Sequence, residues 1–178
     1  MTVTVRLATK DDARAIATVR IETWRAAYAG LIDQLVLDRL DIDREARRRA
    51  DLWDQYHADP RGAELIAEFD GRLAGWAFIG PSLDDDLPDD GQVYAMYALP
   101  SFWSAGVGHA LMTDAEARLR EAGFEHAHLW VLDGNMRAAA FYERHGWHED
   151  GVTKDDDELI AGPHPQTLRE RRRVRRLE

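Results

Sequence analysis

The stretch from Gln92 to Ala122 constrains this chain more than any other. Val93 to Leu99 is rich in β-branched and aromatic residues and predicts a strand. Pro100 ends it, because proline has no N–H to give to a ladder. The run Ser101-Phe102-Trp103-Ser104-Ala105-Gly106-Val107-Gly108 follows. Val107, Leu111, Ala115 and Leu119 then recur every four residues, the pattern of an amphipathic helix that Gly123 closes. A strand, a turn with two glycines and a helix can build an anion site. The first amides of a helix lack partners within it, and the helix dipole adds positive potential there. Glycine removes the Cβ that would hold a phosphate off the backbone. The same pattern also occurs in turns that bind nothing.

A second stretch narrows the choice. Leu129 to Leu132 predicts a strand, Asp133-Gly134-Asn135 a turn ending in an N-cap, and Met136 to His145 a short helix closed by Gly146. Asn135, Ala138 and Tyr142 share one face of that helix. Phe141 points about 100° away from Tyr142, which makes it the better core candidate.

Together the two stretches resemble the GCN5-related N-acetyltransferases, the GNAT superfamily, which use acetyl-CoA. The family's coenzyme motif, Gln/Arg-x-x-Gly-x-Gly/Ala, aligns with Trp103-Ser104-Ala105-Gly106-Val107-Gly108, with Trp103 standing in the Gln/Arg slot. The second motif, Asn-x-x-Ala-x-x-Phe-Tyr-x-x-x-Gly-Phe, aligns with Asn135 through Trp147. The resemblance covers most of the chain and is strongest from Gln92 to Trp147. It implies one α/β (α+β) domain over residues 1–178 with the GNAT fold. That fold is a mixed, mostly antiparallel sheet of about seven strands with helices on both faces. It also implies two parallel neighbours, Val93–Leu99 and His126–Leu132, that splay at their C-terminal ends.

The resemblance implies a site as well. Tyr97, Ala98, Trp103, Ser104, Ala105, Gly106, Val107, Gly108, His109, Asn135, Arg137, Ala138 and Tyr142 would hold acetyl-CoA, with pantetheine along Tyr97 and Ala98. A backbone N–H near Ala98 would stabilise the oxyanion, and Tyr142 would protonate the leaving thiolate. Asn135 suits helix capping as well as cofactor contact. Trp24 and Tyr28 would line the acceptor pocket, although both also suit packing of a helix pair. Glu22 is a candidate general base or amine anchor, and equally a solvated helical residue. The activity implied is transfer of an acetyl group to a primary amine, of a small molecule, by direct attack. The alternative is a non-catalytic acyl-CoA sensor or regulatory module. A homodimer is compatible with either.

Composition sets the outer bounds. The chain has 178 residues, 45% of them hydrophobic, no cysteine and a formal net charge of −10. It therefore reads as a soluble globular domain without disulfides or thiolate metal sites. No apolar run reaches the roughly 20 residues that cross a bilayer, and the alternating N-terminus lacks the core of a signal peptide. A cytoplasmic location is the expectation. The acidic balance argues against a nucleic-acid-coating surface. The exception is the arginine-rich tail, which could bind nucleic acid, fray, or fold onto the acidic body as a last strand over Thr167–Leu177.

The rest reads as a strand over Val3–Leu7, a helix capped by Thr9 with Asp12, a short helix after Asp33 and a third over Asp43–Tyr56. In the third, Arg44, Arg47 and Arg48 take the solvated side. A hairpin, Ala63–Phe69 and Arg72–Ile79, turns at Asp70-Gly71. Ser82 to Gly91 holds five aspartates; it would either draw a cationic amine to the cleft or stay a mobile, solvated loop. Its spacing does not suit calcium. His126 and His128 share a strand face and read as surface or partly buried residues, not metal ligands. Trp147–Val152 predicts a strand, with Asp155-Asp156-Asp157 at a hairpin tip.

Overall fold

The computed structural model describes residues 1–156 and 166–178. Among them, seven strands form one sheet: β1 (Val3–Leu7), β2 (Ala63–Phe69), β3 (Arg72–Pro81), β4 (Gly91–Ala98), β5 (His126–Leu132), β6 (His148–Asp156) and β7 (Leu168–Arg176). Their order is β1-β2-β3-β4-β5-β7-β6, and only β4 and β5 pair in parallel. The helices are α1 (Ala13–Ala27), α2 (Gln34–Asp38), α3 (Ile42–Asp51), α4 (Trp53–Tyr56), α5 (Val107–Glu121) and α6 (Met136–Arg144). No helix among the described residues is long and apolar enough to cross a membrane. This is the mixed, mostly antiparallel sheet that the sequence implied.

Alternation along β3 puts helices on both faces. A Cβ on Gly75 would lie 2.9 Å from Val107 and from Leu111, so α5 sits directly on that position. The next residue, Trp76, faces the opposite side. There the guanidinium of Arg49 on α3 stacks 4.6 Å from its ring, and its indole N–H donates to Glu64 at 2.7 Å. Arg49 and Glu64 form a buried double hydrogen bond of 2.9 and 3.0 Å. Arg44, Arg47 and Arg48 stay exposed as expected, while their neighbour Arg49 is buried. The expected helix over Asp43–Tyr56 breaks at Leu52, whose ψ of 6° leaves the helical range and divides α3 from α4.

The arginine tail is β7, and it slots between β5 and β6. Its cations meet carboxylates: Arg169 with Asp155 at 2.8 Å, Arg171 with Asp133 at 2.8 Å and Arg173 with Glu149 at 3.2 Å. Buried Arg172 bonds Asp86 at 2.8 Å and Asp150 at 2.7 Å. Asp155 and Asp156 lie within β6, paired with β7, instead of at a hairpin tip; Asp157 falls outside the described residues.

This cluster also corrects two expectations. The acidic loop is tied down through Asp84, which accepts from the indole of Trp130 at 2.9 Å, and through Asp86 on Arg172. It does not hang free. His126 is exposed, but His128 is fully buried, its Nε2 3.1 Å from Asp84. Burial pushes its imidazole below the ordinary histidine value, against the pull of Asp84. Two residues on one strand face thus differ because the loop covers only one of them. Arg172→Ala leaves Asp86 and Asp150 without their shared cation. It is expected to destabilise the fold by about 3 kcal/mol, as loss of one partner of a buried ion pair does, and to change the emission of Trp130. Chemical denaturation followed by tryptophan fluorescence measures both.

Candidate active site

β4 and β5 pair only from Gly91↔Ala127 to Val93↔Leu129. Beyond that they part, and a cavity of about 700 Å³ opens between Tyr94–Ala98 and Leu129–Leu132. The splay expected from the sequence is present. Leu99 donates its N–H to the carbonyl of Ala74 on β3 at 2.8 Å. Successive amides of a strand point to opposite edges, so the N–H of Ala98 faces the cavity. The carbonyl of Ala98 is already held, by Trp103 Nε1 at 2.9 Å and Thr23 Oγ1 at 3.2 Å.

One end of the cavity is the start of α5. Ser104 and Gly106 both have positive φ, 63° and 85°. Such alternation turns consecutive amides toward one point. Ala110 is the first residue to bond back, to the carbonyl of Gly106 at 3.0 Å. The amides of Val107, Gly108 and His109 therefore open the helix without an intrahelical acceptor. The two glycines differ. A Cβ on Gly106 would meet nothing within 4 Å, so its backbone angle is what requires glycine. A Cβ on Gly108 would stand 3.1 Å from Phe141, so that glycine lets α6 pack on α5. The side chain of Val107 is buried and Ala105 packs against the core, which leaves only their backbones for a ligand.

This end is cationic. The guanidinium of Arg137 stacks 3.8 Å over the ring of Trp103, a contact that sequence spacing did not disclose. Arg144 also lines the cavity, and the rings of His109 and His145 meet at a tilt, their centroids 5.1 Å apart. Burial, with His109, Arg175 and Arg144 nearby, holds His145 below the usual histidine value. Asn135 caps α6, accepting from the N–H of Ala138 at 3.2 Å.

Tyr142 lines the middle of the cavity. It is buried, whereas Phe141 is half-buried against His145, which reverses the expected choice of core residue. The ring of Tyr142 belongs to the core and its phenol makes no hydrogen bond among the described residues. Burial lifts the phenol well above its ordinary pKa.

At the other end, Trp24 donates its indole N–H to the hydroxyl of Tyr97 at 3.1 Å and meets Tyr28 edge-on at 5.1 Å. Both line the cavity, and Trp24 also anchors a small core with Ile32, Leu37, Leu132 and Leu168. Both residues thus pack in this small core and line the cavity. Burial raises the phenol of Tyr28 far above its ordinary value, and Tyr97, Tyr142 and Glu170 add to the effect. Glu22 is exposed and lies outside the cavity, because successive residues of α1 turn about 100° and Thr23 and Trp24 take the inner face.

Sequence reading missed the floor of this end. Lys154 on β6 pairs with Glu170 on β7, and Glu170 pairs with Leu132 on β5. Residues paired across strands share a face, as do alternate residues along one. Trp130, Lys154, Asp156, Leu168 and Glu170 consequently all line the cavity. Lys154 Nζ stands 3.4 Å from Glu170 and 4.4 Å from the centroid of Trp130. Burial raises the carboxyl of Glu170, against the pull of Lys154. The available signal was Glu170 itself, an isolated acid in the run Leu168-Arg169-Glu170-Arg171-Arg172-Arg173.

Residues 9–147 match the model of the acetyltransferase (GNAT) family. Over 121 residues the chain is 29% identical to "Uncharacterized N-acetyltransferase YuaI" of Bacillus subtilis strain 168, spanning 68% of this chain and 66% of that relative's length. PaiA N-acetyltransferase of Thermoplasma acidophilum, solved in complex with coenzyme A, has a TM-score of 0.69 at 19% identity, covering 96% of this chain and 98% of that one. YncA of Salmonella typhimurium, solved with its cofactor acetyl-CoA, has a TM-score of 0.67 at 17% identity, covering 100% and 95%. At such identities the likeness to the solved structures is one of fold. The family match spans most of the chain, and the chain belongs to the acetyltransferase (GNAT) family.

Proposed function

We propose that this chain is an acetyl-CoA-dependent N-acetyltransferase acting on the primary amine of a small molecule. The observation that carries the reading is the cleft between β4 and β5 ending on the open amides of α5. The residues present fit the coenzyme. The amides of Val107 to His109, with Arg137 held over Trp103, suit a diphosphate. Trp103 brings no charge in the Gln/Arg slot; Arg137 supplies one at the same place. The free edge of β4 suits an extended, amide-bearing arm. Bound there, acetyl-CoA supplies a thioester whose acyl carbon is open to attack by an amine.

The chain's own groups manage charge around that carbon. The N–H of Ala98 faces the cavity and donates to the developing oxyanion, a contribution of about 3–4 kcal/mol for one well-placed donor. Tyr142 keeps its proton, because burial disfavours the phenolate. Protonated and lining the cavity, it is the acid proposed for the departing sulfur. Trp24, Tyr28 and Trp130 wall the acceptor end and exclude water. Release of free thiol from acetyl-CoA, followed with a chromogenic disulfide across a panel of amines, tests the reading. Amine-dependent release is the expected result. Tight coenzyme binding with no release for any amine would leave a binding module instead.

A further inference from the structure

The cation and the acid on the floor of the acceptor end point to a substrate. We propose that the acceptor is a small amino acid, its ammonium received by Glu170 and its carboxylate by Lys154. This rests on the acetyltransferase reading above and narrows its substrate.

Three observations carry it. The first is position: Glu170 and Lys154 sit opposite each other on β7 and β6 and line the same cavity as Tyr142. The second is spacing. Lys154 Nζ and Glu170 Oε2 are 3.4 Å apart. A molecule whose ammonium and carboxylate are one or two carbons apart can lay its own pair antiparallel against this one. Each charge then meets its opposite, as a neutral pair of dipoles does. A diamine would bring its second cation against Lys154 and gain nothing from it. The third is the wall. Trp130 is fixed by Asp84 at 2.9 Å and carries the half-exposed Lys154 on its face at 4.4 Å, a contact that favours this position of the ammonium. Leu83 and Leu168 complete an apolar rim for a side chain.

The proton accounting closes. Glu170 takes one proton from the substrate ammonium and passes it to solvent. The nitrogen lone pair forms the new C–N bond as the C–S bond breaks with its electron pair on sulfur. Tyr142 protonates that sulfur and recovers a proton from the same nitrogen. An ammonium and a thioester thus give an amide, a thiol and one proton.

The test compares each of the twenty amino acids, and β-alanine, with the amine that lacks its carboxylate, and with putrescine and spermidine. The expected result is a kcat/KM for the best amino acid at least 100-fold above that of its decarboxylated amine and of the diamines. Lys154→Met is expected to bring the ratio of amino acid to decarboxylated amine to near one. Glu170→Gln is expected to lower kcat more than 100-fold for both, with acetyl-CoA affinity unchanged by calorimetry. Preference for diamines, or an unchanged ratio in Lys154→Met, overturns the inference and leaves the acetyltransferase reading standing. Failure of the unaltered protein to bind acetyl-CoA overturns both.

Discussion

Gly106→Glu is expected to abolish coenzyme A binding in calorimetric titration, with a loss of affinity of at least about a hundredfold. The argument is local. Gly106 stands at φ 85° immediately before α5, and a Cβ there would project into open space beside the unpaired amides. A carboxylate built on it would occupy the position proposed for the coenzyme's diphosphate and satisfy the same N–H groups from within. The backbone angle alone costs a side chain about 1–2 kcal/mol. Gly106→Ala carries that cost without the charge, so it is expected to melt a few degrees lower and still bind. If both variants bind alike, the start of α5 is not the diphosphate site.

Tyr142→Phe is expected to lower kcat about 100-fold or more while the KM for acetyl-CoA stays within about threefold, the size expected of a lost general acid. Its stability holds, because the hydroxyl has no hydrogen-bond partner among the described residues and its removal leaves nothing unpaired. Burial raises the phenol above its ordinary value near 10. The acid form therefore persists through neutral and moderately alkaline pH. The pH–rate profile of the unaltered protein is expected to show no falling limb from this group below about pH 10. Unchanged turnover in the phenylalanine variant would remove Tyr142 from the chemistry and leave it as a core residue.

The two predictions rest on segments that the sequence made legible. The strand, turn and helix from Gln92 to Ala122 obey local rules: a proline stop, a four-residue apolar repeat and a glycine where φ must be positive. The same holds for Asn135 as a cap. What stayed hidden depended on strands far apart in the chain. Glu170 and Lys154 become a pair only when β7 enters between β5 and β6, and nothing in either segment states its neighbour. Burial was equally non-local. His128 disappears under a loop some forty residues earlier in the chain, and Arg49 is drawn inward by Glu64. Within α6 the helical period correctly separated Phe141 from Tyr142. It could not say which face meets the sheet, since Gly108 admits the ring of Phe141 beside α5.

The place of β7 has a consequence for synthesis. The pairing of β4 with β5 and the proposed coenzyme cradle need only residues that precede Trp147 in the chain. β6 emerges next but has no neighbour to hydrogen-bond until the strand after it arrives, since β7 is what joins it to β5. A ribosome-bound chain of residues 1–156, carried on a linker that fills the exit tunnel, would therefore hold the proposed coenzyme-gripping half without a floor for the amine, and is expected to capture coenzyme yet turn over no acceptor.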